Sequence, residues 1–216
     1  MNHINLPKIF KPFICDGLVR LGKDYDGGYL VNAEDVHNSS RLISFGIDND
    51  VSFENDFLNI NKVPIDAYDD KIDRCFDNMR TYRQTITKGS IEDILRDDNN
   101  VFLKCDIEGS EYDILSEIIT NSHRFSGMVI EFHDIHEYSK FNELTAFIAK
   151  ISQKLVHVHV NNHVYIVQDN THFIPMTIEL TFSSSKRIQY SDLVYLPNTL
   201  DMPNMHDRPD FRITFE

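Results

Sequence analysis

Cysteine is scarce in this chain: Cys15, Cys75 and Cys105 are odd in number, far apart and without CxxC spacing. That pattern argues against a disulfide framework and against a zinc knuckle, so the thiols are expected to be reduced. Long apolar runs are missing as well. No stretch approaches the roughly 18–20 residues of a membrane span, and the opening "MNHINLPKIFKPF" lacks the uninterrupted apolar segment of a secretory signal. A cytoplasmic location is therefore expected. Positive charge is the third shortage, with 21 Lys and Arg against 34 Asp and Glu and a formal net charge of −13. Such a field repels phosphate backbones, and nucleic acid is not expected as a substrate.

What is present is enough apolar material, 41% of 216 residues, to bury one sizeable core. One domain over 1–216 is expected, with an N-terminal extension (1–41), a core (42–182) and a Pro- and Asn-rich cover segment (183–216). From residue 42 short β-branched runs alternate with helical patterns, the mark of an α/β fold. The spacing places strands at 42–46, 63–68, 101–106, 127–132, 154–160 and 176–182. In "SEYDILSEII", Ser110 is a candidate cap ahead of a stripe of Ile114, Leu115, Ile118 and Ile119. Ser139 plays that part before Phe141, Leu144, Phe147, Ile148 and Ile151. The connection between the last two strands is too short for a crossover helix, so a mostly parallel sheet should end in one antiparallel strand.

The richest stretch is "FLKCDIEGSEYDIL" (102–115), an apolar strand running through a turn into a helix. Asp106 falls at the carboxyl end of the strand, where open α/β sheets bind ligands. Glu108 flanks the turn at Gly109, and Glu111 suits the dipole of the first helical turn as a structural group. Lys104, inside an apolar strand, needs a carboxylate partner in the protein or on a ligand. Upstream, "LISFGIDNDVSFE" (42–54) ends a strand at Phe45-Gly46, continues through Ile47, and carries the acidic Glu54. Gly46 allows close ligand approach. The further glycines of a dinucleotide fingerprint and the Lys-Ser/Thr of a phosphate loop are absent, which disfavours NAD and triphosphates. The next strand ends in "AYDD", where Asp66 and Asp69 are candidates for a ribose.

Histidines crowd into "EFHDIH" and "HVHVNNH". The strand 127–132 delivers Glu131 and His133 to the same cleft, and an imidazole of ordinary pKa is a reasonable general base. Asp106, Glu131, His133 and Asp134 also compose a conceivable divalent-ion set, but histidine matches a hard Mg²⁺ site poorly and no metal is assigned. Alternation places Leu155, His157, His159 and Asn161 on one face, His157 for packing and the latter two as substrate contacts.

Together these strand ends resemble the FkbM-type methyltransferases that use S-adenosylmethionine. The likeness is strongest in "FLKCDIEGSEYDIL", against a family pattern close to lKiDvEGaE. It extends to "VRLGKDYDGGYLV" (19–31), "ISFGIDNDVSFE" (43–54) and "VIEFHDIH" (129–136), as in the branch with an N-terminal DGGY motif. The resemblance implies a Rossmann-like class I methyltransferase fold with S-adenosyl-L-methionine at the ends of the first two strands. Phe45, Gly46, Ile47 and Glu54 would be among its contacts, with Gly46 under its methionine part, Asp69 at its ribose, Ser90 and Ile91 bordering its adenine, and Asp106 facing its amine or the reaction centre. Asp48, where many relatives have glycine, would narrow that loop.

The expected activity is O-methyl transfer to a small polar acceptor, a sugar or nucleotide sugar, in capsule, lipopolysaccharide or other glycan biosynthesis. Asp106, Glu108 and His133 are the expected catalytic residues, with Asp26, Tyr29, His159 and Asn161 as acceptor contacts. A metal-dependent hydrolase built on the His-rich strands and an inactive cofactor-binding module are the alternatives.

Overall fold

The structure, a computed structural model, describes residues 3–168 and 172–216; residues 169–171 of the segment joining the last two sheet strands lie outside it. Seven strands build the central sheet: β1 (Arg41–Phe45), β2 (Ile65–Asp69), β3 (Arg80–Arg83), β4 (Val101–Cys105), β5 (Phe125–Phe132), β6 (Lys154–Val160) and β7 (Ile178–Ser183). Their order is β3-β2-β1-β4-β5-β7-β6, and β7 alone runs antiparallel to its neighbours. The reversed last strand is as expected. β3, "RTYR", was not placed from sequence, because an edge strand of exposed and half-buried polar residues carries no apolar run.

Helices α1 (Ala33–Asn38), α2 (Ser52–Ile60), α3 (Ser90–Leu95), α4 (Glu111–Thr120) and α5 (Tyr138–Lys150) complete the layers. α4 buries Ile114, Leu115 and Ile118, while α5 buries Leu144 and Phe147. Neither expected serine caps through its side chain. Glu137 occupies the cap position of α5, so Ser139 falls within the helix, and at α4 the loop amides of Ile107 and Gly109 donate instead to the Glu111 carboxylate. None of the described helices is long and apolar enough to cross a membrane.

The two faces of the sheet differ in chemistry. Leu103, Cys105, Ile130, Phe132, Leu180 and Phe182 join the core formed with α4 and α5. Their neighbours in sequence point the other way, and that second face holds Ser44, Lys104, Glu131, Glu179, Thr181, His157 and His159, all buried. A bulge between Leu155 and His157 puts Leu155 opposite Phe182, on the helix side, instead of sharing a face with the histidines. The polar face lies under the N-terminal extension, a hairpin of Leu18–Gly22 with Gly28–Asn32, and under the C-terminal segment. Asp201 accepts from His157 and Asn204 donates to Glu179.

Asp35 of α1 is buried, and one carboxylate oxygen has no partner. Burial, helped by the charge of Glu34 and opposed by hydrogen bonds from Ser183 and Ser184, lifts its pKa from 3.8 to about 7. The folded chain thus holds this proton more tightly than the unfolded one, and the associated stability is lost as pH rises from about 4 towards 7. Asp35→Asn is expected to raise the melting temperature at pH 8 and to change it little at pH 4. Thermal melts of both proteins at the two pH values check this.

Candidate active site

The strand order reverses between β1 and β4, and the carboxyl ends of these two strands are tied together. Asp106 N–H donates to Phe45 O at 3.0 Å, and Gly46 N–H donates to Tyr68 O at 2.9 Å. Gly46 has φ +72°, and a Cβ there would lie 1.5 Å from the Asp106 carbonyl oxygen. Glycine is therefore demanded first by the protein's own backbone, before any ligand is considered. Lys104 Nζ donates to the Gly46 carbonyl and sits 5.8 Å from the Tyr29 ring centroid. The expected direct carboxylate partner is thus replaced by a carbonyl, although Glu54 and Asp106 both lie within reach of the lysine's charge.

Two hollows open at this switch point. One is bounded by Gly46, Asp69, Gln84, Thr85, Ile86 and Asp106. The other lies beneath the extension and is bounded by Asp26, Tyr29, Asp48, Glu54, Lys104 and Asp106. Both are also lined by Glu108, so Gly46, Asp106 and Glu108 form their common wall. A wider groove of about 790 Å³, lined by Lys8, Phe13, Lys154 and Tyr190 among others, lies at the opposite end of β6, away from this cluster.

In the first hollow Asp69 accepts from the amides of Asp48 (2.9 Å) and Lys71 (2.8 Å), which fixes the carboxylate at the end of β2. Asp48 takes φ +42°, the left-handed region that glycine favours and aspartate tolerates, and its side chain is exposed. The loop keeps its path without the second glycine. Ser90 and Ile91 fall outside the lining: the Ser90 hydroxyl accepts from Thr87 N–H, and Ile91 is buried in the core with its amide on Glu117. The residues bordering that side, Gln84, Thr85 and Ile86, follow the edge strand that the sequence left unmarked.

Between the hollows and the sheet lies a chain of acids, half-buried at Asp106 and buried at Glu131 and Glu179. Tyr29 Oη is 3.0 Å from Asp106 Oδ2 and 2.9 Å from Glu131 Oε2. One phenolic proton cannot satisfy two carboxylates. Burial, together with the charges of Asp106 and Glu179, raises the Glu131 carboxyl well above its ordinary range, against the lowering effect of His133 and of the hydrogen bond from Tyr29. Burial also raises Asp106 and holds the Tyr29 phenol protonated. Asn161 Nδ2 donates to Glu131 Oε1 at 3.1 Å and lies behind the site as a support.

His133 Nδ1 is 3.0 Å from Glu111 Oε1, while Nε2 is 3.9 Å from Asp106 Oδ1 and 3.6 Å from Glu108 Oε2. Burial alone would lower its pKa. The hydrogen bond to Glu111 and the charges of Glu111, Glu131 and Asp106 outweigh burial and lift the pKa to about 9. That lies above the ordinary imidazole value on which the general-base expectation rests. At His159, Nδ1 meets Glu179 at 3.1 Å and Nε2 meets Asp210 at 3.1 Å, so both ring nitrogens have protein partners. Glu179, a charge inside the apolar run "TIELTF", carried the same sequence signal as Lys104 and was missed.

A parallel sheet with one reversed strand in this order, with a ligand hollow at its switch point, defines a class I methyltransferase fold. The family model for the methyltransferase FkbM domain matches residues 27–167, more than half of the chain, and the chain belongs to that family. It is accordingly a methyltransferase whose cofactor is S-adenosyl-L-methionine. Among solved structures, similar ones include the human methyltransferase 10 domain containing protein (15% identity, TM-score 0.42, 71% of this chain and 79% of that one). A putative hemolysin from Streptococcus thermophilus (10%, TM-score 0.45, 80% and 74%) is another. A third is a putative methyltransferase from Streptococcus mutans in complex with SAH (12%, TM-score 0.38, 69% and 93%). At such low TM-scores these likenesses do not bear on substrate. No match was found among curated proteins.

Proposed function

We propose that the protein transfers the methyl group of S-adenosylmethionine to a hydroxyl oxygen of a small polar acceptor, a sugar or nucleotide sugar, in cytoplasmic glycan biosynthesis. The observation that carries this reading is the shared wall of Gly46, Asp106 and Glu108, which brings two hollows to one point. Cofactor and acceptor would meet there in line.

The residues fit the cofactor. Asp69 stands ready for the ribose hydroxyls, Gln84 to Ile86 border the adenine, and Gly46 with Ile47 lies along the methionine part. Glu54, fully buried in α2, keeps one carboxylate oxygen without a partner, a suitable acceptor for the methionine ammonium. When bound, the cofactor supplies an activated methyl on a sulfonium. The protein's own residues orient the acceptor, exclude water and receive its proton. Asp106 is the proton acceptor at the junction, and Glu108 and His133 complete the catalytic group around it. The second hollow, lined by Ile47 and Glu54 as well as Asp26 and Tyr29, would hold the methionine end of the cofactor and, beside it, an acceptor rich in hydroxyls. Asn161 contributes by holding Glu131. The His-based hydrolase is disfavoured because His157 and His159 are each locked onto tail carboxylates.

Asp69→Ala is expected to weaken cofactor binding by about 2–4 kcal/mol through loss of charge-assisted hydrogen bonds, with isothermal calorimetry as the check. The function itself is tested by a methyl-transfer screen with labelled S-adenosylmethionine over sugars, nucleotide sugars and short RNAs. Transfer to a sugar hydroxyl supports the reading, and transfer to RNA alone overturns it.

A further inference from the structure

We propose that Asp106, Glu108 and His133 bind a divalent transition-metal ion of borderline hardness, of the Mn²⁺ or Fe²⁺ kind, where the two hollows meet. Asp106 Oδ1, Glu108 Oε2 and His133 Nε2 all lie within 4.8 Å of one another, with Nε2 3.9 Å and 3.6 Å from the two oxygens. Metal–ligand distances of about 2.0–2.2 Å let one ion reach all three atoms. Glu108 is carried there by the turn, with φ +55° at Glu108 and +100° at Gly109.

The far side of the imidazole supplies an independent observation. Nδ1 faces the fully buried Glu111 carboxylate, and the same oxygen is held by the amides of Ile107 and Gly109. A fixed carboxylate on Nδ1 holds one ring proton there, and an ion bound between Nε2, Asp106 and Glu108 would displace the proton on Nε2. Metal-binding histidines are oriented by this kind of partner. The neighbouring trio Asp134, His136 and Glu137 lacks the feature, and its carboxylates already have a cation: Lys140 Nζ lies 2.6 Å from Asp134 and 3.8 Å from Glu137. Around Asp106 and Glu108, in contrast, the ion pairs are with the His133 ring itself, and Lys104 donates to the Gly46 carbonyl. One nitrogen and two carboxylate oxygens suit Mn²⁺ or Fe²⁺ better than Mg²⁺.

Such an ion would make a coordinated hydroxyl a stronger acid, the property that O-methyl transfer requires of its acceptor. That role rests on the proposed function; the binding itself does not. The probe is Mn²⁺ alone, followed by electron paramagnetic resonance and calorimetry on the full chain. Wild type should bind Mn²⁺ with one site dominating the titration. Glu108→Gln, at a side chain 77% exposed and so without consequence for folding, should weaken it at least about tenfold. His133→Ala, with its melting temperature recorded, should weaken it further. No Mn²⁺ binding by the wild type, or an affinity unchanged in Glu108→Gln, overturns the proposal. A parallel titration of S-adenosylhomocysteine in chelator separates the two readings. Binding of that product without Mn²⁺ binding removes the metal site alone, whereas failure to bind it removes the methyl-transfer reading.

Discussion

Asp106→Asn should lower turnover by about 100-fold or more, the loss expected when a positioned proton acceptor is removed. The melting temperature should barely move. Burial raises the Asp106 carboxyl against the attraction of Lys104 and His133, and Asp106 in turn raises its neighbour Glu131, so the neutral amide suits the site. The amide also keeps an oxygen for Tyr29, 3.0 Å away from the present carboxylate. A purely structural role predicts the reverse, with a large fall in melting temperature and unchanged turnover per folded molecule. His133→Ala is expected to cost activity to a similar degree. Turnover and thermal melts measured on the same preparations decide the matter, once the acceptor screen has supplied a substrate.

Gly46→Val carries the second large effect, and it falls on both binding and fold. A ligand-facing glycine with room behind it would tolerate a side chain in the free protein. Here the Cβ position is 1.5 Å from the Asp106 carbonyl oxygen, and φ is +72°. Either the β1–β4 junction separates or the residue leaves the left-handed region. A loss of about 3 kcal/mol or more is expected, together with loss of cofactor binding. Gly109→Ala is the comparison. Its Cβ would lie 3.4 Å from the nearest atom, a side-chain oxygen of Asp134, so only the φ of +100° is strained and the cost should be about 1–2 kcal/mol. Denaturant unfolding of the two variants checks the order.

Much of this geometry could be read from the residues. Six of the seven sheet strands carry apolar runs because both faces of the sheet are covered, and those runs were visible. β3 was not, since its polar edge position leaves no such trace. Lys104 stood out as a charge in a strand, and it does mark the polar face, but its partner, a carbonyl brought near by Gly46 φ, is a tertiary fact. Ser90 and Ile91 lie outside the hollow for a related reason: the residues that line its far side, Gln84 to Ile86, follow β3, a strand with no apolar trace in the sequence. The general-base expectation for His133 rests on an ordinary imidazole pKa, and the substrate-contact expectation for His159 on strand alternation alone. Their neighbours Glu111, Glu179 and Asp210 come from a helix, another strand and the C-terminal segment, and no local pattern announces them.

The central claim is that the β1–β4 switch point is the seat of S-adenosylmethionine. Calorimetric titration of S-adenosylhomocysteine into wild type and Asp69→Ala tests it most directly. The account predicts saturable one-to-one binding to the wild type and a loss of about 2–4 kcal/mol in the variant. No heat of binding to the wild type at millimolar ligand, or equal affinity in the two proteins, would contradict it.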